Sequence, residues 1–279
     1  MSDQTKSGLT DDELAIEPTV FVPDALNDQV FVVSGGAGGI GAATGLLFCQ
    51  EGGRVVLVDS DSSAMRVAVS HIQDTVPGAG VEAVVADVGK EETASEVVAQ
   101  TRKAFGAIDV LANIAGIRAY EPLAVAQRDT WEKIIAVNLM SYAYFIRQAI
   151  TDLRTSGRGS IINISSTHAI NPRAGMGQYD VTKAGIVSLT RTLAFEEAKH
   201  GIRVNAVCPG LTLTPFHLRR AKAAGRTRQD LDREAAEGCL LGRWADPREV
   251  AYPILWLASD EASYVTGSIL MVDGGRFVR

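Results

Sequence analysis

The chain has 279 residues, 46% hydrophobic and 22% charged, with a formal net charge of −6. That composition fits one domain with a substantial core. No apolar run approaches bilayer-spanning length, and the opening Met1-Ser2-Asp3-Gln4-Thr5-Lys6 lacks the basic-then-apolar pattern of a secretory signal.

Cys49, Cys208 and Cys239 are odd in number and too scattered for a zinc site, which points to a reducing cytoplasmic setting without a bound metal. Residues 1–28 hold seven of the 33 acids and one of the 27 bases, leaving 26 of each in the remainder. A neutral body argues against a nucleic-acid partner. The acidic leader contains Pro18 and Pro23 and has no strong periodicity, so it is expected to be flexible or to lie on a neighbouring surface. A single domain is expected over residues 29–279.

From residue 30 short apolar runs alternate with longer helical windows. The runs at 30–34 and 54–59 have the character of strands buried on both faces, and those at 81–85, 108–113, 160–165, 203–208 and 268–272 read as further strands. Helical windows between them include 40–51, 91–105, 129–153, 177–199 and 247–258. The alternation predicts an α/β fold, a doubly wound seven-stranded parallel sheet with helices on both faces. Ligands of such sheets lie beyond the carboxyl ends of the strands, which here carry Gly35, Asp59, Asp87, Asn113, Ser165, Ser166 and Pro209.

Ser34-Gly35-Gly36-Ala37-Gly38-Gly39-Ile40-Gly41 joins the first strand to the first helix. Glycines permit a sharp turn and a close approach to a pyrophosphate, and a helix N-terminus attracts the anion. Gly35, Gly38, Gly39 and Ile40 are the expected cradle. Asp59, ending the second strand, either accepts hydrogen bonds from an adenosine ribose or caps the following helix. A 2′-phosphate of charge about −2 at ~5 Å from that carboxylate would be repelled by ~2–7 kcal/mol at effective dielectrics of 80 to 20. No lysine or arginine stands in the glycine loop or directly after Asp59. NAD is therefore expected over NADP.

Tyr179 and Lys183 are spaced i, i+4, so on a helix the phenol and the ammonium share a face. A free phenol has a pKa of about 10, and making it a base near neutrality takes ~4 kcal/mol. One cation ~4 Å away at an effective dielectric near 20 supplies about that much. A lone Tyr-x-x-x-Lys is commonly a tyrosine beside a surface lysine, but no other tyrosine here has a lysine four residues on. Ser166 lies thirteen residues before Tyr179.

Together these residues resemble the short-chain dehydrogenase/reductase family over roughly residues 28–275. Asn113-Ile114-Ala115-Gly116 is similar to its Asn-Asn-Ala-Gly element, with Ile114 replacing the second asparagine, and Ser34 stands where threonine is more usual. Pro209-Gly210 and Val272-Asp273-Gly274-Gly275 match two further elements. The resemblance implies a Rossmann-like fold and interconversion of a secondary alcohol and a ketone. It implies that Tyr179 exchanges the proton, Ser166 hydrogen-bonds the same oxygen, and Lys183 tunes the tyrosine and contacts the nicotinamide ribose. Asn138 would hold a relay water, its alternative being a buried amide satisfying local backbone. Asp87 and Val88 would border the adenine, Asn113, Ala115 and Gly116 would support the pocket, and Thr212 or Thr214 would meet the nicotinamide amide.

The resemblance also places a mobile substrate lid at 211–240 and a homodimer or homotetramer contact on the helices at 129–153 and 177–199. The lid is rich in charge of both signs, and it either faces solvent or meets a polar or anionic small molecule such as a hydroxy acid, sulfonate, sugar derivative or cyclic diol. Arg118, His168 and Arg173 are the expected substrate residues. A non-catalytic dinucleotide sensor or scaffold is the competing class, and a nucleotide-dependent methyltransferase is more remote because it does not require the serine, tyrosine and lysine set.

Overall fold

The computed structural model describes residues 26–278; most of the acidic leader lies outside the described residues. Seven strands form one parallel sheet: β1 (Val30–Ser34), β2 (Arg54–Asp59), β3 (Val81–Val85), β4 (Val110–Asn113), β5 (Ser160–Ile164), β6 (Arg203–Pro209) and β7 (Ile269–Val272). Their order is β3-β2-β1-β4-β5-β6-β7. The order reverses between β1 and β4, which opens a crevice at the strand ends where such sheets bind ligands. The strands are those expected from sequence, with small shifts at the ends. β4 starts at Val110 instead of Ile108, whose N–H goes to Asp152 Oδ2 at 3.2 Å.

The helices are α1 (Gly39–Gln50), α2 (Ser62–Thr75), α3 (Glu91–Ala104), α4 (Arg128–Ile135), α5 (Ser141–Ser156), α6 (Gly177–Glu197), α7 (Pro215–Ala223), α8 (Arg228–Gly238) and α9 (Pro247–Ala258). Alternate strand residues serve the two faces of the sheet. Phe31, Val33, Val55 and Leu57 pack with Phe48 of α1 and Ile254 of α9, and the Phe31 and Phe48 rings stack 4.1 Å apart. Val32, Val56, Val58 and Leu111 pack on the other face with Val97 of α3 and Phe145 of α5. All three cysteines are buried, and no disulfide joins them. Among the described residues no helix is long and apolar enough to cross a membrane.

Two findings differ from a reading by period alone. The window 129–153 is not one helix: α4 and α5 are joined by a π turn over Ala136–Met140, and Asn138 lies in it. Such turns insert one extra residue and commonly occur at functional sites. The segment 211–240 folds into α7 and α8, with Trp244 donating from its indole to the Leu231 carbonyl at 2.8 Å and closing the pair against the body.

Candidate active site

The cofactor end is built by close backbone approach. Gly35 has φ +71°, and a Cβ there would lie 2.8 Å from the Ala115 backbone. A Cβ on Gly41 would overlap the Gly35 carbonyl oxygen. Ser34 Oγ accepts from Ile114 and Ala115 N–H at 3.1 and 3.3 Å, tying β1 to the loop after β4. α1 begins at Gly39 with no side-chain cap and no acid in its first turn. Its N–H groups and dipole are therefore left for an anion. Ile40 packs on the core.

Asp59 does not cap α2; Asp61 does, accepting from Ser63 and Ala64 N–H. Asp59 Oδ2 instead accepts from Ala37 N–H at 3.2 Å and Oδ1 from Asp61 N–H at 3.1 Å. The carboxylate is thereby held beside the glycine loop. Asp87 accepts from Gly89 N–H, and Val88 is buried. Asn113 donates to Asn163 Oδ1 at 2.9 Å and so ties β4 to β5, while its own Oδ1 is buried without a partner.

On the opposite wall, Gly210 follows Pro209 and donates to Val272 O at 3.0 Å. Thr214 packs against Gly39, and Thr212 Oγ1 is buried with no partner. A glycine cradle, an uncapped helix start and orphaned polar atoms at Asn113 and Thr212 fit a nicotinamide dinucleotide laid across the strand ends.

The reacting end gathers Asn138, Ser166, Tyr179 and Lys183. Lys183, fully buried on α6, donates to Ile164 O at 2.8 Å and approaches the Tyr142 hydroxyl at 3.5 Å. Burial, reinforced by the Arg118 charge, pushes its pKa down to about 7. Burial raises the Tyr179 phenol, while the Arg118 cation and a hydrogen bond with Ser166 oppose it. The cation acting most on this phenol is thus Arg118; Lys183 Nζ lies 5.7 Å from the ring centre.

Asn138 is satisfied at both ends. Its Oδ1 accepts from Ile117 N–H at 2.7 Å, and its Nδ2 donates to Ile117 O and to Thr182 Oγ1. It therefore fixes the loop after β4 as a buried amide would. It also lies beside Lys183 across Gly116, where a Cβ would sit 3.4 Å from Nζ and 3.6 Å from Asn138 Oδ1.

A cavity of about 390 Å³ opens beyond Tyr179, with Arg118, Ser166, His168, Arg173, His217 and Arg276 in its wall. The three substrate residues expected from sequence, Arg118, His168 and Arg173, all line it. His168 Nδ1 lies 3.1 Å from Asp180 Oδ1, out of line for a hydrogen bond. Burial, with the charges of Arg118, Arg276 and Arg173, lowers His168 and outweighs Asp180. Burial and the charges of Arg118 and Arg220 hold His217 at about 4.

Sequence reasoning missed Tyr142 and Arg276. Tyr142 is fully buried, and its hydroxyl lies 3.0 and 3.1 Å from the carbonyls of Ile164 and Ala115. Its place four residues after Asn138 was the available signal. Arg276 follows the Asp273-Gly274-Gly275 element, and nothing local shows that it turns back to the cavity.

Comparison with known proteins agrees with this geometry. The family model described as enoyl-(acyl carrier protein) reductase matches residues 35–276. The short chain dehydrogenase/reductase astE of Aspergillus oryzae is 36% identical, over 90% of this chain and 95% of that protein. The 3-oxoacyl-[acyl-carrier-protein] reductase FabG of Thermotoga maritima is 37% identical, over 90% of this chain and 98% of that one. The crystal structure of L-sorbose reductase from Gluconobacter frateurii, complexed with NADPH and L-sorbose, superposes with a TM-score of 0.88 at 32% identity, covering 92% and 100% of the two chains. The chain belongs to the short-chain dehydrogenase/reductase family. It is an oxidoreductase of that family, acting on hydroxyl or keto substrates.

Proposed function

We propose that this protein interconverts a secondary alcohol and a ketone by hydride transfer with NAD, and that Tyr179 exchanges the proton. The observation that carries this reading is the placement of the Tyr179 phenol, in hydrogen-bonding reach of Ser166 and 5.4 Å from the Arg118 guanidinium, both of which line the cavity.

A nicotinamide dinucleotide bound at the cradle supplies the hydride acceptor or donor. Gly35, Gly38 and Gly39 bring backbone N–H groups toward its pyrophosphate, and Asp59 offers its carboxylate to the ribose. Asp87 and Val88 border the adenine, Ala115, Gly116, Pro209 and Gly210 shape the walls, and Thr212 and Thr214 are placed for the amide.

At the reacting oxygen Ser166 donates a hydrogen bond as charge develops, and Tyr179 gives or takes the proton. Lys183, with a pKa near 7, holds and releases a proton at neutral pH. A side chain at Gly116 would meet Lys183 Nζ and Asn138, so the glycine leaves room beside the ammonium. The Tyr142 hydroxyl and the Ile164 carbonyl hold the lysine head group in place.

NADP is the second reading. It is favoured by Arg219 of α7, whose charge reaches Asp61 and adds to the hydrogen bonds from Ala64 and Ser63 that lower that carboxyl, and by the NADPH in the sorbose reductase structure. We expect a homodimer or homotetramer; Val181 and Phe195 of α6 expose large apolar surface that association would cover. Sedimentation as a monomer would count against that.

Tyr179→Phe tests the main reading. Turnover of nicotinamide should fall to background while NAD binding, followed by quenching of intrinsic fluorescence, stays close to wild type. Retained turnover would refute the assignment, and turnover absent from the wild type with NAD bound would favour a sensor.

A further inference from the structure

The cavity beyond Tyr179 is one-sided in charge. Five arginines and one glutamate, Glu234, line it. Arg226 is paired with Glu234 at 2.8 Å, and Arg220 stacks over the Tyr120 ring at 4.1 Å. Arg118, Arg173 and Arg276 have no carboxylate within ion-pair distance among the described residues. They are close to one another: burial lowers Arg276, and the charges of Arg173 and Arg118 lower it further against the opposing charge of Glu234. The charges of all three also reach His168.

The backbone is built to deliver these groups. Arg276 is held in a turn in which the Asp273 carboxylate accepts from Gly275 and Phe277 N–H at 3.0 and 2.7 Å. Gly274 and Gly275 have φ of +61° and +79°, conformations that side chains disfavour. The guanidinium passes Gly238 so closely that a Cβ there would sit 3.1 Å from Nη1. Arg173 stands on the loop before α6, its N–H donating to Asp180 Oδ2 at 2.9 Å. Arg118 lies against Tyr179, its guanidinium carbon 5.4 Å from the ring centre. Like charges converging on one cavity repel, and a planar guanidinium is shaped for oxyanions. A cavity of about 390 Å³ is at the small end of ligand pockets.

From this we infer that the substrate is a compact hydroxy or keto compound bearing an oxyanion, with the reacting carbon at Tyr179 and the oxyanion held by Arg276 and Arg173. The inference rests on the proposed role of Tyr179 for its orientation. Arg118 lies between the two ends, so an oxyanion a few bonds from the reacting carbon spans the cavity. A carboxylate, sulfonate or phosphate offers the same hydrogen-bonding edge to a guanidinium.

The test is titration calorimetry of the full chain with succinate, ethanesulfonate and inorganic phosphate, with neutral succinamide as the control. The expected result is binding of at least one oxyanion, with none for succinamide. The tightest probe identifies the oxyanion. Arg276→Gln should weaken that probe about tenfold or more, and Arg276→Lys should recover part of the loss. Arg173→Gln, on an exposed residue whose loss leaves the core untouched, should weaken it independently. The inference is overturned if succinamide binds as well as succinate, if no oxyanion binds, or if both glutamine variants keep wild-type affinity. Turnover of neutral alcohols without oxyanion binding would sink it and leave the oxidoreductase reading standing. Oxyanion binding without nicotinamide turnover on any hydroxy acid would do the reverse.

Discussion

The Arg118 guanidinium carbon sits 5.4 Å from the centre of the Tyr179 ring and 5.8 Å from that of Phe216. Arg118 is largely buried, and the Tyr179 and Tyr120 phenols favour its charged form. A permanent cation against a buried phenol favours the phenolate, working against the desolvation that raises it.

Arg118→Met should therefore slow turnover by about tenfold to a hundredfold, within the range general acid–base catalysis supplies. It should also move upward the limb set by Tyr179, the acid limb in alcohol oxidation and the basic limb in ketone reduction. Arg118→Lys should restore part of the rate, since it keeps the charge but loses the planar head. The pH profiles of kcat for the three proteins decide this: an unmoved limb in Arg118→Met would show that the arginine acts on substrate binding alone.

Lys183 leads to a second pH dependence. Its pKa is pushed down to about 7 because its ammonium is buried. In alcohol oxidation the site must accept a proton, so a protonated Lys183 opposes the reaction. Oxidation should fall as pH drops through 7, while ketone reduction should not fall with it. In Lys183→Met the limb near 7 should disappear along with most of the rate. Stopped-flow rates in both directions from pH 5.5 to about 9, a span that brackets the lysine, would check this. A limb near 7 that persists in Lys183→Met would assign it elsewhere.

Asp59 should decide between the dinucleotides. Its two oxygens are held by Ala37 and Asp61 N–H, so the charge cannot swing away from a 2′-phosphate. Wild type should prefer NAD over NADP by at least about tenfold in kcat/KM, which corresponds to the high-dielectric, weak-repulsion end of the range. Asp59→Asn should shrink the ratio chiefly by improving NADP. Equal efficiency of the wild type with both cofactors would place the balance with Arg219.

These residues also show what local sequence can carry. The strands and the glycine turn were legible because a parallel sheet buried on both faces needs continuous apolar runs, and a close backbone approach needs Gly35. The Tyr179–Lys183 spacing placed both side chains correctly on α6. It could not show that burial would lower the lysine itself, because desolvation depends on what packs over it. Asp59 as a helix cap was a fair alternative, since Asp61 two residues on has the same chemistry and takes that role. The π turn at Asn138 has no glycine or proline to mark it. Tyr142 looks like one more residue of an apolar stripe, and the path of Arg276 depends on Gly238, 38 positions away.

His217 predicts an acid lability of the lid. Its ring packs 5.3 Å from those of Phe216 and Trp244, and Nδ1 is 2.9 Å from Thr214 Oγ1. A free imidazole titrates near 6.5, but here the pKa is about 4. Between those values the unfolded chain binds a proton that the folded chain does not. Stability contributed by this group is thus complete above about 6.5 and is lost as pH falls toward 4. Between pH 7 and 5 the loss should be about 2 kcal/mol. His217→Asn keeps a polar atom near Thr214 and has nothing to protonate, so it should lose less over the same interval. His168, also held neutral by burial, contributes equally to both proteins. Urea unfolding of the two at pH 7 and pH 5 makes the comparison, and an identical loss in the variant would show that His217 is solvated and titrates freely.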